Sequence, residues 1–137
     1  MLFRSVGRQH PAYLAKTGIA VETLADDEWV MFPEGHGLGD LARSICRRAG
    51  FVPRDAVFTD QADAAVRLAA AGLGVAIVPE NIVPASLHRF MVPLDPPVFR
   101  PLAVFTRETW SPQAEAFRAA LQEIDWIDVP RGAVIEN

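Results

Sequence analysis

The run Leu68-Ala69-Ala70-Ala71-Gly72-Leu73-Gly74-Val75-Ala76-Ile77-Val78-Pro79 constrains this chain more than any other segment. An alanine-rich helical pattern stops at Gly72, crosses a two-glycine turn and becomes an apolar strand that ends on proline. Gly72 suits the left-handed residue that closes a helix, and Gly74 removes a side chain where helix and strand pack closely. Val75 to Val78 has the apolar, largely β-branched composition of a strand covered on both faces. A helix delivered directly into a buried strand is the joint of an α/β domain.

Neighbouring segments alternate in the same way. Residues 2–6 fit a short strand, residues 9–20 a loop, and Val21 to Ala25 a short helical turn. Trp29 to Phe32 is a strand, stopped by Pro33 and a turn carrying Gly35, Gly37 and Gly39. Leu38, Leu41, Ala42, Ile45, Cys46 and Ala49 recur at helical spacing, which predicts a helix from about Leu38 to Ala49 closed by Gly50. Ala56 to Phe58 is a second strand, and Thr59 or Asp60 is expected to cap a helix over 61–71. Pro79, Pro84, Pro93, Pro96 and Pro97 punctuate loops around a short strand near His88–Val92. Leu102 to Thr106 is a further strand. Ser111-Pro112 opens a last helix whose buried stripe is expected to be Ala114, Phe117, Leu121 and Ile124. The tail from Asp125 to Asn137 shows no clear period. Strand, helix, strand, helix, strand is the order of a βαβ sheet.

A chain of 137 residues can bury one core, so one domain is the first expectation. A net charge of −4 argues against nucleic-acid binding by the chain itself, because phosphate contacts need a basic patch. Arg43, Arg47 and Arg48 fall on the polar side of a helix and are expected to be solvated. The single cysteine, Cys46, excludes an internal disulfide and a multi-cysteine metal site; its place on an apolar helix face predicts buried packing. The first residues lack the apolar core of a signal peptide, and no apolar run approaches the roughly 20 residues that span a bilayer. The expected location is the cytoplasm, with no membrane partner.

Glu34-Gly-His-Gly-Leu-Gly-Asp40 is the most site-like segment, lying between a strand's C-terminal end and a helix's N-terminus, where open α/β sheets place ligands. Free amides there favour an anion. Its glycines do not fit the dinucleotide pattern, and no Gly-Lys-Ser/Thr follows as in a P-loop. The segment is either a ligand contact or only a turn. His36 could bond an anion, but no second histidine or nearby cysteine supports a metal site. None of the serines sits in a Gly-x-Ser-x-Gly elbow. Glu34 and Asp40 fall near one turn without defining acid–base chemistry, and Asp60 and Asp63 suit a helix start. No catalytic constellation and no cofactor are expected.

Four pieces in order resemble the effector-binding domain of LysR-type transcriptional regulators. They are His10-Pro11 with Val21 to Val30; the Phe32–Gly37 turn with the helix ending Ala49-Gly50-Phe51; Val57-Phe58-Thr59-Asp60 with the helix and Ala70 to Pro79; and Arg100 to Thr106 with the helix 111–124. Ala12-Tyr13 departs from that family's usual Leu-Ala after His-Pro.

The resemblance implies a periplasmic-binding-protein-like fold of two α/β lobes with a small ligand between them. Residues 1–20 would be a crossover strand and loop, and 21–97 a three-layer βαβ second lobe. Residues 98–124 would return as a strand and helix of an incomplete first lobe, leaving 125–137 as tail. Ligand-facing groups would be Pro33, Glu34, Gly35 and His36 in the first turn, Thr59, Asp60 and Gln61 at the next helix start, and Pro79 on the same rim. The implied function is non-enzymatic binding of a small anionic metabolite, with DNA reached only through a parent chain that carries a DNA-binding head. An incomplete first lobe would leave apolar stripes exposed, so either self-association or a first lobe supplied from elsewhere is expected, unless Trp126, Ile127 and Val129 cover them. The alternative is a freestanding α/β small-molecule binding protein with no role in transcription. An α/β enzyme has little support, for want of a nucleophile–base set.

Overall fold

Successive side chains of two strands enter two different apolar cores, and this divides the molecule into layers. In strand β2 (Glu28–Met31), Trp29 and Met31 join one core while Val30 and the following Phe32 join the other. Strand β4 (Ala76–Pro79) and the residue before it do the same, with Val75 and Ile77 on one side and Ala76 and Val78 on the other. That is the period-2 geometry of a strand, applied to residues that are apolar at every position. The computed structural model describes residues 3–7, 18–101, 105, 111–124 and 134–135.

Helix α1 (Gly37–Arg48) covers the first face with Leu41, Ala42, Ile45 and Cys46, joined by Val21 and Leu24 from the 3-10 turn Val21–Leu24. The indole Nε1 of Trp29 donates to the Leu24 carbonyl at 3.3 Å, which satisfies its polar atom inside that core. Helix α2 (Ala62–Ala71) covers the second face with Ala65, Val66 and Ala69, beside Val83 and the half-buried Leu87 and Phe90. Ile77 and Trp29 are fully buried; truncating such side chains to alanine costs about 2–5 kcal/mol.

Strand β3 (Arg54–Phe58) pairs in parallel with β2, with a register shift between Trp29 and Val30. A parallel bridge between Trp29 and Val75 then connects β2 to β4, through Val30 N–H to Val75 O at 2.9 Å and Val75 N–H to Glu28 O at 2.8 Å. Strand β1 (Phe3–Val6) runs antiparallel between β4 and β5 (Met91–Pro93). Strand β6 (Val98–Phe99) pairs in parallel with β7 (Val134–Ile135), so part of the tail is structured. The result is a three-layer mixed α/β fold with the buried strands β2 and β4 between the two helices and the largely exposed β3 paired to the outer side of β2.

Four expectations change. Residues 85–90 form a 3-10 helix, so the strand expected near His88 begins only at Met91. Gln61 is the N-cap of α2 and offers no side-chain cap; Thr59, two residues before it, instead accepts the Gln61 N–H on its Oγ1 at 3.2 Å and bonds no amide within the helix. Helix α3 (Pro112–Gln122) is capped by Ser111 as expected, but it buries none of its residues: Phe117 is 56% exposed, and Ile124, beyond the helix end, is 49% exposed. Gly74 makes room for the backbone of β2, not for a helix, since a Cβ there would lie 2.7 Å from the Glu28 oxygen. The strand expected over 102–106 and the covering role of Trp126, Ile127 and Val129 lie outside the described residues.

Candidate functional site

The three parallel strands end along one edge of the sheet, and the turns that leave them carry most of the predicted residues. Pro33 to His36 follows β2, Thr59 to Gln61 follows β3, and Pro79 is the last residue of β4. Thr59 N–H donates to the Met31 carbonyl at 3.0 Å, which ties the second turn to the last residue of β2. Pro33, Glu34, Gly35, Asp60 and Gln61 are exposed, and His36 and Thr59 are half-buried. Pro79 is buried, opposite Phe3 of β1, and so underlies the rim more than it faces outward.

The first turn is built by its own backbone. His36 N–H closes on the Pro33 carbonyl at 3.2 Å, and Gly35 adopts φ +77°, a conformation that costs any residue with a Cβ. His36 then becomes the N-cap of α1: its Nδ1 accepts the Leu38 N–H at 3.2 Å. An imidazole nitrogen that accepts carries no proton, so in the neutral ring the hydrogen sits on Nε2. The ring also stacks on Phe32, with centroids 4.8 Å apart and planes 9° from parallel. Phe32 is buried, so the imidazole is held in one orientation at the rim.

Arg43 fastens the first turn from beneath. Its Nη1 donates to the Phe32 carbonyl at 3.1 Å, and its Nη2 pairs with Asp55 on β3 at 3.4 Å. It is therefore not the solvated residue expected from its polar helix face; Arg47 and Arg48 do lie exposed. Gly39 permits this close approach, because a Cβ there would sit 2.9 Å from Arg43 Nη1 and from the Phe32 and Pro33 oxygens.

A second arginine reaches the rim from a distant part of the chain. Arg100, just after β6, places its Nη1 3.5 Å from where a Cβ on Gly37 would be. No local pattern around Arg100 foretells this, because the contact depends on how β6 packs against the core beneath α1. Glu34 and Asp60 on the two turns and Asp40 in the first turn of α1 are exposed carboxylates. Among the described residues, no cluster of histidine, cysteine and carboxylates could hold a metal ion, and no helix is long and apolar enough to cross a membrane. A separate recess of about 140 Å³ lies at the other end of α1, against Arg48 and Ala49.

Comparison with known proteins identifies a family for the chain. The family model described as LysR substrate binding domain matches residues 6–125. The transcriptional dual regulator GltC of Bacillus subtilis (strain 168) is 34% identical over 91 residues, which is 66% of this chain and 30% of GltC. The chain thus spans less than a third of that curated relative. The regulatory domain of CcmR from Synechocystis PCC6803, solved in complex with 2-PG, superposes with a TM-score of 0.66 at 18% identity, over 88% of this chain and 60% of that one. The effector binding domain of QuiR, in complex with shikimate, gives 0.62 at 20% identity, over 86% and 57%.

Proposed function

Since the chain belongs to the LysR substrate-binding domain family, we propose that it is the effector-sensing part of a LysR-type transcriptional regulator, working in the cytoplasm. In this reading residues 21–97 are the second lobe of the sensing domain, and residues 98–124 return toward a first lobe. The rim formed by Pro33–His36 and Thr59–Gln61, with Pro79 beneath, receives a small anionic metabolite. Binding biases the relation between the lobes and so the placement of DNA-binding heads on a longer chain. The part played here is binding, not catalysis: the one rim imidazole uses Nδ1 to cap α1, which leaves it a donor rather than a base.

The observation that carries the reading is the joining of two exposed turns at one sheet edge, through Thr59 N–H and Met31 O at 3.0 Å. Ligands of open α/β sheets bind outside the carboxyl ends of the strands, and both turns leave such ends. Domains of the same fold were solved in complex with shikimate and with 2-PG, which supports a small metabolite as the ligand here.

A thermal-shift screen of small carboxylates tests it. A ligand that binds only the native state at about a hundred times its Kd adds roughly 2.7 kcal/mol of stability. Replacing Thr59 and Gln61 by alanine should weaken that binding while the melting temperature of the free protein stays nearly constant. A large loss of stability with affinity intact would assign these residues to turn and cap duty instead.

A further inference from the structure

We propose that Arg43 is a positioning residue of this rim: its guanidinium holds the two turns in fixed relation and, through Phe32, sets the direction in which His36 presents its donor; this rests on the rim being the ligand site.

The sheet alone leaves that relation open. Strand β3 pairs with β2 through Asp55 and Trp29, then through Val57 and Val30, so the register skips Ala56. An extra residue in one strand bends it and alters its twist, which would let the turns beyond swing against each other. Past the shift, Thr59 N–H to Met31 O joins the two sides, but one bond leaves a pivot. Arg43 spans the irregularity. Its Nη2 pairs with Asp55, which precedes the shift on β3, while its Nη1 donates to the carbonyl of Phe32, just past the end of β2. Both nitrogens belong to one planar, rigid group, so the two attachment points keep a set separation. The paired side chains are 24% and 25% exposed, which screens them less than an open surface pair.

Gly39 admits the guanidinium. Glycine weakens a helix relative to alanine, yet it stands in the first turn of α1, where a Cβ would crowd Arg43 Nη1 and the Phe32 oxygen at 2.9 Å each. The carbonyl so gripped belongs to the residue whose ring carries the imidazole. Phe32 and His36 stack at 4.8 Å, and His36 Nδ1 accepts the Leu38 N–H at 3.2 Å. Holding the Phe32 peptide therefore holds the ring on which His36 lies, and with it the direction of the remaining Nε2–H.

The experiment is NMR on the 15N-labelled 137-residue chain without ligand, at about pH 8.5, where an ordinary imidazole is neutral. In the parent protein the two ring nitrogens of His36 should give the well-separated shifts of a single Nε2–H tautomer. Arg43→Met keeps the stem and removes the fork, and should draw those shifts toward the averaged values of free imidazole. It should also speed exchange of the Leu38 amide about tenfold or more relative to that of Val75, which is bonded to Glu28 in the core. Asp55→Asn keeps the Phe32 bond and weakens only the second attachment. It should move the Gly35–Leu38 amides in the same direction by a smaller amount, and it carries the test if Arg43→Met does not fold. A residue that only adds stability would leave the His36 shifts unchanged and speed both amides equally, and that result would overturn the inference. So would an Asp55→Asn protein whose Gly35–Leu38 amides keep the parent positions. Either outcome leaves the proposed site standing, since the thermal-shift screen tests that separately.

Discussion

Gly74 lies so close to Glu28 that a methyl group on it would stand 2.7 Å from the Glu28 carbonyl oxygen and about as near the next peptide. The same Glu28 oxygen accepts the Val75 N–H, so the approach is part of the bond that joins the two halves of the sheet. Gly74→Ala should therefore destabilise by about 1–3 kcal/mol or more, because neither backbone can retreat without breaking that bond. Gly35→Ala, also at positive φ but with open space around it, should cost only about 1–2 kcal/mol. Urea denaturation of the two variants compares them; equal midpoints would show that the crowding at Gly74 is relieved elsewhere.

Much of this architecture is legible from residue order. The apolar periodicities of α1, α2, β2 and β4 identify their elements, since each buries a face of fixed period. The rim residues are legible for the same reason, because locating the end of each strand locates the turn that leaves it. Gly74 is recognisable as a site of close approach, but residue order suggests the wrong neighbour, because strand order across the sheet is a long-range property. His36 is invisible as a cap, since caps are sought among Ser, Thr, Asp and Asn. Arg43 looks solvated because helical spacing gives a residue's side of the helix but not what reaches over that side. The stripe on α3 is apolar in sequence, while its exposure depends on what the rest of the fold sets against it.

The cap on α1 gives a measurable effect. Removing the acceptor by His36→Ala should cost about 0.5–2 kcal/mol, whereas His36→Asp should restore the cap and add a favourable charge at the helix N-terminus. Thermal melts of the three proteins check this. If His36→Ala melts with the parent protein, the bond to Leu38 contributes nothing net.

Cys46 is 0% exposed, and burial, reinforced by the nearby Asp55 carboxylate, pushes its thiol from 9.0 up to about 12. Between those values the folded chain keeps a proton that the unfolded chain has released. Stability from this group is therefore complete below pH 9 and falls as pH rises toward 12. Urea midpoints measured across that range should decline more steeply than in Cys46→Ala. Iodoacetamide at about pH 8, just below the ordinary thiol range, should label the thiol only as fast as the protein opens, and rapid labelling of the native protein would contradict its burial.

Phe117 on α3 and Ile124 just past its end put apolar surface in water, and we expect it to drive self-association of the isolated chain. Phe117→Glu should shift the sedimentation distribution toward monomer while changing stability by no more than about 0.5 kcal/mol, as is usual for an exposed position. A parent protein that sediments as a monomer at high concentration would remove the premise.

The division of β2 and β4 between two cores has a consequence for how such a sequence can change over generations. A volume gained at Trp29 or Ile77 must be answered among Leu41, Ile45 and their neighbours, while one gained at Val30 or Val78 must be answered by Ala65, Val66 and Ala69. The two sides of the sheet can thus drift as separate compartments, each with its own compensations. Insertion or loss of one residue within either strand would exchange the two sets at once. Lineages of this domain should tolerate length changes in the loops, and almost none inside these two short runs.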